Sequence, residues 1–99
     1  MTVTGKDLHF IQTCSAFPEQ YDVLYNGKTV GYIRLRWGNM YVECPDVGGE
    51  LVYEAQPEEG FGDFHTDEER EYYLGCARNA ITNWCNRNNI QPDLGDNDG

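Results

Sequence analysis

Apolar and polar residues alternate with a period of two along residues 20–56, and from residue 66 the spacing changes to that of a helix. The first period belongs to strands with one buried face, the second to an amphipathic helix. Turn residues divide the alternating stretch: Asn26 and Gly27 predict a two-residue type I′ hairpin, Gly38 and Asn39 a second, and Pro45 to Gly49 a longer connection. The expected strands are Leu8 to Cys14, Gln20 to Tyr25, Lys28 to Trp37, Met40 to Cys44 and Glu50 to Gln56.

Two-residue loops fix the register by counting. Val23 should lie opposite Val30, Tyr21 opposite Tyr32, Leu35 opposite Val42 and Ile33 opposite Cys44. Leu24, Ile33, Leu35, Trp37, Met40, Val42 and Cys44 then form the core face. The other face receives Tyr21, Tyr25, Tyr32, Arg34, Arg36, Tyr41 and Glu43, with Arg34 opposite Glu43 and Arg36 opposite Tyr41. Glu50 and Glu54 join this outer side if Leu51 and Tyr53 point inward.

Thr66 followed by Glu69 predicts a capping box, and Asp67 and Glu68 fall in the first turn, where the helix dipole favours negative charge. Tyr73, Leu74, Ala77, Ala80, Ile81 and Trp84 make one apolar stripe over the predicted helix Asp67 to Asn88, and Arg70 at its edge should pair with a nearby carboxylate. Glu68, Glu71, Tyr72, Gly75, Asn79, Thr82, Asn83 and Asn86 face away. The expected fold class is α+β: an antiparallel meander of four or five strands with the helix packed on one face. Residues 1–90 should form one domain and 91–99 a flexible acidic tail.

Charge changes this picture. The chain of 99 residues has a formal net charge of −10, and the imbalance is local. Residues 1–40 carry four basic against three acidic side chains, 41–71 one (Arg70) against eleven, and 72–99 two against three. Asp67 to Glu69 serve a helix start and Glu43 has Arg34 as an expected partner. The remaining carboxylates have little lysine between them, and mutual repulsion costs stability unless the patch faces something basic.

Chemistry-bearing motifs are sparse. Cys14, Cys44, Cys76 and Cys85 form no CxxC pair, and neither His9 nor His65 stands at a ligand spacing, so no structural zinc is expected. Reduced thiols are expected, with a cross-strand bond between Cys14 and Cys44 as the alternative. The ending DLGDNDG stops before the bidentate Glu of a calcium loop. His65 beside Asp63 and Asp67 has no nucleophile placed near it, and no catalytic residue, cofactor or metal is assigned. No apolar run is long enough to span a bilayer, and MTVTGKDLHF lacks the pattern of a secretory signal, which predicts a cytoplasmic protein.

The stretch YDVLYNGKTVGYIRLRWGNMYVECPDVGGELVYEA, followed by DEEREYYLGCARNAI, resembles the small acidic proteins of phages and prophages of Gram-positive bacteria. That resemblance implies an anti-defence context in an infected or lysogenic host, since several anti-CRISPR proteins are acidic mimics that block the nucleic-acid surface of a Cas nuclease. Charge and resemblance together predict a non-enzymatic inhibitor, monomeric or homodimeric. It would bind a basic nucleic-acid-handling protein, such as a Cas effector, without touching nucleic acid or membrane. The expected contacts are Glu50, Glu54, Glu58, Glu59, Asp63, Glu68 and Glu71, with Tyr41 and Tyr53 as aromatic anchors. The alternative is a homodimeric adaptor or structural module using the Tyr and Arg face, or a weak single-strand binder that stacks bases on it.

Overall fold

The computed structural model describes residues 3–15, 19–36, 38–57 and 66–90. Five strands, β1 (Leu8–Ser15), β2 (Glu19–Tyr25), β3 (Lys28–Arg36), β4 (Asn39–Cys44) and β5 (Glu50–Ala55), form one antiparallel meander in chain order. A single long helix, α1 (Asp67–Arg87), packs across one face, over β3, β4 and β5. This is the expected α+β architecture. A 3-10 turn, Gly5–Asp7, precedes β1.

The turn residues act through backbone freedom. Asn26 and Gly27 have φ of 50° and 82°, both left-handed, and join Tyr25 to Lys28 in the type I′ geometry that matches strand twist. The second hairpin closes earlier than counting predicted. Arg36 lies opposite Asn39 and Leu35 opposite Met40, with Gly38 at φ 78° in the turn. The shift is two residues and no side chain changes face, but the partners change: Ile33 meets Val42, Arg34 meets Tyr41 and Glu43 meets Tyr32. The expected pairing of Arg34 with Glu43 is therefore replaced.

A one-residue irregularity between β2 and β3 has larger consequences. Leu24 pairs with Thr29 but Val23 pairs with Gly31, leaving Val30 as an extra residue in β3. Such a bulge reverses which side chains share a face beyond it. Tyr21 comes opposite Ile33 instead of Tyr32, and Val23 opposite Gly31 instead of Val30. Tyr21, Val23 and Tyr25 are buried in the core, while Leu24 is only half-buried. The sequence-based assignment of Tyr21 and Tyr25 to the outer face and Leu24 to the core is thus overturned. The expected core position of Trp37 lies outside the described residues.

At Gly31 a helix side chain lies close against the sheet backbone. A Cβ there would lie 2.7 Å from Ile81 Cδ1, so the absent side chain makes room for Ile81. Val23, Val30, Ile33, Leu35, Met40, Val42 and Cys44 from the sheet meet Ala77, Ile81, Trp84 and Cys85 from the helix. Cys14 and Cys44 sit on β1 and β4, separated by two intervening strands, which excludes the suggested bond; none of the four cysteines is in a disulfide. Strands roughly 4.8 Å apart put β1 and β4 far beyond disulfide reach.

Both helix ends are closed by side-chain or backbone caps. Thr66 Oγ1 accepts the Glu69 backbone N–H at 3.0 Å. At the other end Asn89, at φ 54°, turns the chain so that the Ile90 N–H reaches the Cys85 carbonyl at 2.9 Å, a Schellman closure. Asn86, expected to face away, instead bonds the backbone of Val3 with both ends of its amide, at 2.8 and 3.0 Å. Arg78 donates to the carbonyls of Gly5 and Leu8 at 2.7 and 3.2 Å, and its guanidinium stacks 4.3 Å from the Phe10 ring centre.

The strand parity set by Val30 also buries a charge. Glu19 shares the core-facing parity of Tyr21 and is fully enclosed, accepting from the Tyr21 hydroxyl and from Arg70 Nε and Nη2 at 2.9 and 3.2 Å. Arg70 also reaches Asp67 at 2.6 Å. Arg70→Met leaves an enclosed carboxylate without a cation, and we expect it to cost about 3 kcal/mol, the low end for a buried pair because Arg70 is partly exposed. Urea unfolding should also show the double variant Glu19→Met with Arg70→Met recovering more than half of that loss; a double variant no more stable than Arg70→Met contradicts the assignment.

Candidate functional site

The carboxylates divide between the two ends of the sheet. β5 finishes, β2 begins and α1 begins at one end, as the contact of Arg70 with Glu19 requires. Glu54 near the end of β5 and Glu68 and Glu71 in the first turns of α1 occupy this end. All three are exposed and make no ion pair or hydrogen bond among the described residues. Their chain neighbours Asp67 and Arg70 are paired with each other.

Carboxylates at the opposite end are engaged within the fold. Glu43 Oε1 accepts the Gly48 N–H at 3.0 Å and Asp46 Oδ1 accepts the Val47 N–H at 2.8 Å, bracing the connection that follows β4. Gly49 has no room for a side chain there, since a Cβ would lie 2.3 Å from the Cys44 carbonyl oxygen. Glu50 Oε1 accepts from Trp84 Nε1 at 3.2 Å, and its other oxygen lies 3.8 Å from Arg87 Nη2.

Glu50 and Glu54 do not share a face. Val42 pairs with Tyr53 but Glu43 pairs with Leu51, so Val52 is an extra residue in β5. This bulge sends Glu50, opposite Cys44, to the helix side and leaves Leu51 on the outer side, 49% exposed. The expectation that Glu50 stands beside Glu54 while Leu51 points inward is corrected accordingly. Tyr53 does point inward, opposite Val42 and packed against the core. Burial, helped by a hydrogen bond with Cys76, pushes its hydroxyl up to about 12. It is a core-edge residue. Glu58, Glu59, Asp63 and His65 lie outside the described residues.

No helix covers the outer sheet face in the described structure. Its central row reads Gln20, Arg34, Tyr41 and Glu54 across four strands, and the next row Ile11, Asp22, Tyr32, Glu43 and Leu51 across five. The Arg34 guanidinium carbon lies 5.8 Å from the Tyr41 ring centre, and its buried Nε has no hydrogen-bond partner among the described residues. Burial raises the Tyr32 hydroxyl above the ordinary tyrosine value, with Arg34 partly opposing the shift. With Tyr21 and Tyr25 turned inward, the face keeps two of its four expected tyrosines, a much reduced platform for stacking bases.

Sequence reasoning missed Glu19 and Asn86 as anchoring residues. Glu19 had a readable signal, because it continues the period-two series Tyr21, Val23, Tyr25. Gly31 inside a strand was a signal for the bulge. The pairing of Asn86 with Val3 had none, since 83 residues separate them in the chain. Among the described residues no group of three or more His, Cys, Asp or Glu is placed to hold a metal ion, and no helix is long and apolar enough to cross a membrane.

The thiols separate into two classes. Cys44 and Cys85 are buried, whereas Cys14 and Cys76 are partly exposed. Burial, with Cys85 and Glu50 nearby, pushes the Cys44 thiol up to about 12 from 9.0, and burial also raises Cys85. A thiol reagent at pH 8 should therefore modify at most two cysteines in the folded protein and four after denaturation. Because the folded value of Cys44 lies above the unfolded one, its contribution to stability is complete below pH 9 and fades as pH rises toward 12. Cys44→Ala should flatten the decline of stability over that window, followed by urea unfolding at stepped pH.

Comparison with known proteins gives no family model, no curated protein and no solved structure that matches this chain.

Proposed function

We propose that this chain is a non-enzymatic inhibitor that binds a basic, nucleic-acid-handling protein through carboxylates held at the end of the fold where α1 begins. The supporting observation is the contrast between the two ends. Glu43, Asp46 and Glu50 are engaged in internal hydrogen bonds, whereas Glu54, Glu68 and Glu71 are exposed without a counter-charge among the described residues. Repulsion among such groups is a standing cost that a cationic partner removes.

A protein channel that normally grips phosphates presents lysine and arginine side chains together with bound counterions. Carboxylates carried on a strand end and a helix start can occupy it as phosphates do and release those ions. The contact needs no reaction, and it accounts for a chain whose charge is −10 at a length of 99 residues. A Cas nuclease in a phage-infected bacterium has the required surface, and it is the partner implied by the resemblance to small acidic phage proteins. Glu50 and Tyr53 drop out of the proposed contact set because both serve the helix–sheet packing. Tyr41 stays available as an aromatic neighbour of Glu54, directly opposite it across β4 and β5.

The test is a pull-down from host lysate with the tagged chain, released by a rising salt gradient. The captured protein should be basic and elute steeply with salt. Reversing Glu54, Glu68 and Glu71 to Lys together should weaken capture at least about tenfold at low ionic strength, since each lost ionic contact is worth on the order of 1 kcal/mol. Undiminished capture by a folded triple variant removes these residues from the interface.

A further inference from the structure

We propose that two copies of this chain join through the outer edge of β1, antiparallel across a two-fold axis, to make one continuous ten-stranded sheet. The two edges of the five-stranded sheet differ sharply. β5, at one edge, has six residues, two of them glutamates, and a bulge at Val52 in its middle. These are the features by which edge strands resist pairing. β1, at the other edge, has eight residues and no Asp, Glu, Lys or Arg. It lies in the longest uncharged run of the chain, residues 8–18.

The irregularity in β1 falls between Gln12 and Cys14, so Leu8 to Gln12 stay in unbroken register with Tyr25 to Tyr21. Arg78 occupies the Leu8 carbonyl. From His9 to Gln12 the outer backbone row has no partner among the described residues, and Ile11 is 49% exposed beside it. An uncharged edge that keeps its register over five residues, Leu8 to Gln12, is a template for another strand.

Charge selects a second copy as the occupant and selects this edge. Molecules of net charge −10 repel one another wherever their carboxylates approach. β1 itself carries no charged side chain, and the first forty residues, which supply β1 to β3, carry four basic against three acidic side chains, so this edge lies away from the acidic stretch 41–71. Pairing β1 with β1 places the two β5 strands nine strand spacings apart, about 43 Å at roughly 4.8 Å each. That exceeds the screening length of about 8 Å at physiological salt several times over. The same patch meets itself, so the assembly closes at two copies. Stacking the outer faces together would instead bring Asp22, Glu43 and Glu54 of the two copies into one layer.

Sedimentation equilibrium with two substitutions tests the pairing. The wild-type chain should sediment at twice its 11.3 kDa mass. Ile11→Lys should halve that mass while leaving the circular dichroism unchanged. Leu51→Lys, at an equally exposed residue of β5, should leave the doubled mass in place. A wild-type monomer at all concentrations, or a folded Ile11→Lys that remains a dimer, overturns the proposal. So does a Leu51→Lys that dissociates as readily, which would indicate contact through the outer face. If Ile11→Lys does not fold, hydrogen exchange of the wild type decides: amides within residues 9–12 should be better protected at high than at low protein concentration, and equal protection overturns the pairing.

Discussion

The packing of α1 on the sheet requires that β2 turn its aromatic and branched residues toward the helix, and Val30 is the residue that brings this about. Without an extra residue in β3, Tyr21 would lie opposite Tyr32 on the open side of the sheet. With it, Tyr21 and Val23 come opposite Ile33 and Gly31, and Tyr21, Val23 and Tyr25 join the same buried core as Ile81 and Ala77. Gly31, next to the bulge, then supplies the space in which Ile81 lies against the sheet. A strand position that costs regular pairing and side-chain volume is what lets the two layers meet.

That same reversal of parity carries a cost. Glu19 falls in the series that faces the helix and becomes enclosed, and an enclosed carboxylate is tolerated only with a cation and hydrogen bonds around it. Arg70 and the Tyr21 hydroxyl supply them. Burial, reinforced by the adjacent Glu19 charge, raises the Tyr21 hydroxyl above its ordinary value, and bonding to Glu19 raises Arg70 further, so both groups keep their protons. The pair fixes where the start of α1 lies against β2. It therefore also fixes where Glu68 and Glu71 are presented.

The distribution of negative charge follows from these anchors. At the Glu50 end, carboxylates hold a connection and a tryptophan and are part of the fold. At the end where α1 begins, Arg70 is committed to Glu19 and Asp67, leaving no described cation for Glu54, Glu68 and Glu71. The asymmetry of the two sheet edges, one acidic and bulged in its middle and the other uncharged and in unbroken register from Leu8 to Gln12, is a second expression of the same segregation along the chain.

Element type and order were legible in the sequence because they rest on local causes: period-two alternation, Asn26–Gly27, the Thr66 cap and the 3.6-residue stripe from Tyr73 to Trp84. The segregation of charge and the structural role of Arg70 were legible for the same reason. Tertiary structure decided which face each side chain joins, because a strand's parity reverses wherever one residue is inserted, and bulges at Val30 and Val52 depend on how layers pack. Hence Tyr21 and Tyr25 moved inward, Leu24 and Leu51 outward, and Glu50 away from Glu54. The partnerships of Glu19 with Arg70 and of Val3 with Asn86 join residues 51 and 83 positions apart. No local pattern encodes such distances; only the packing of the helix on the sheet brings those groups together.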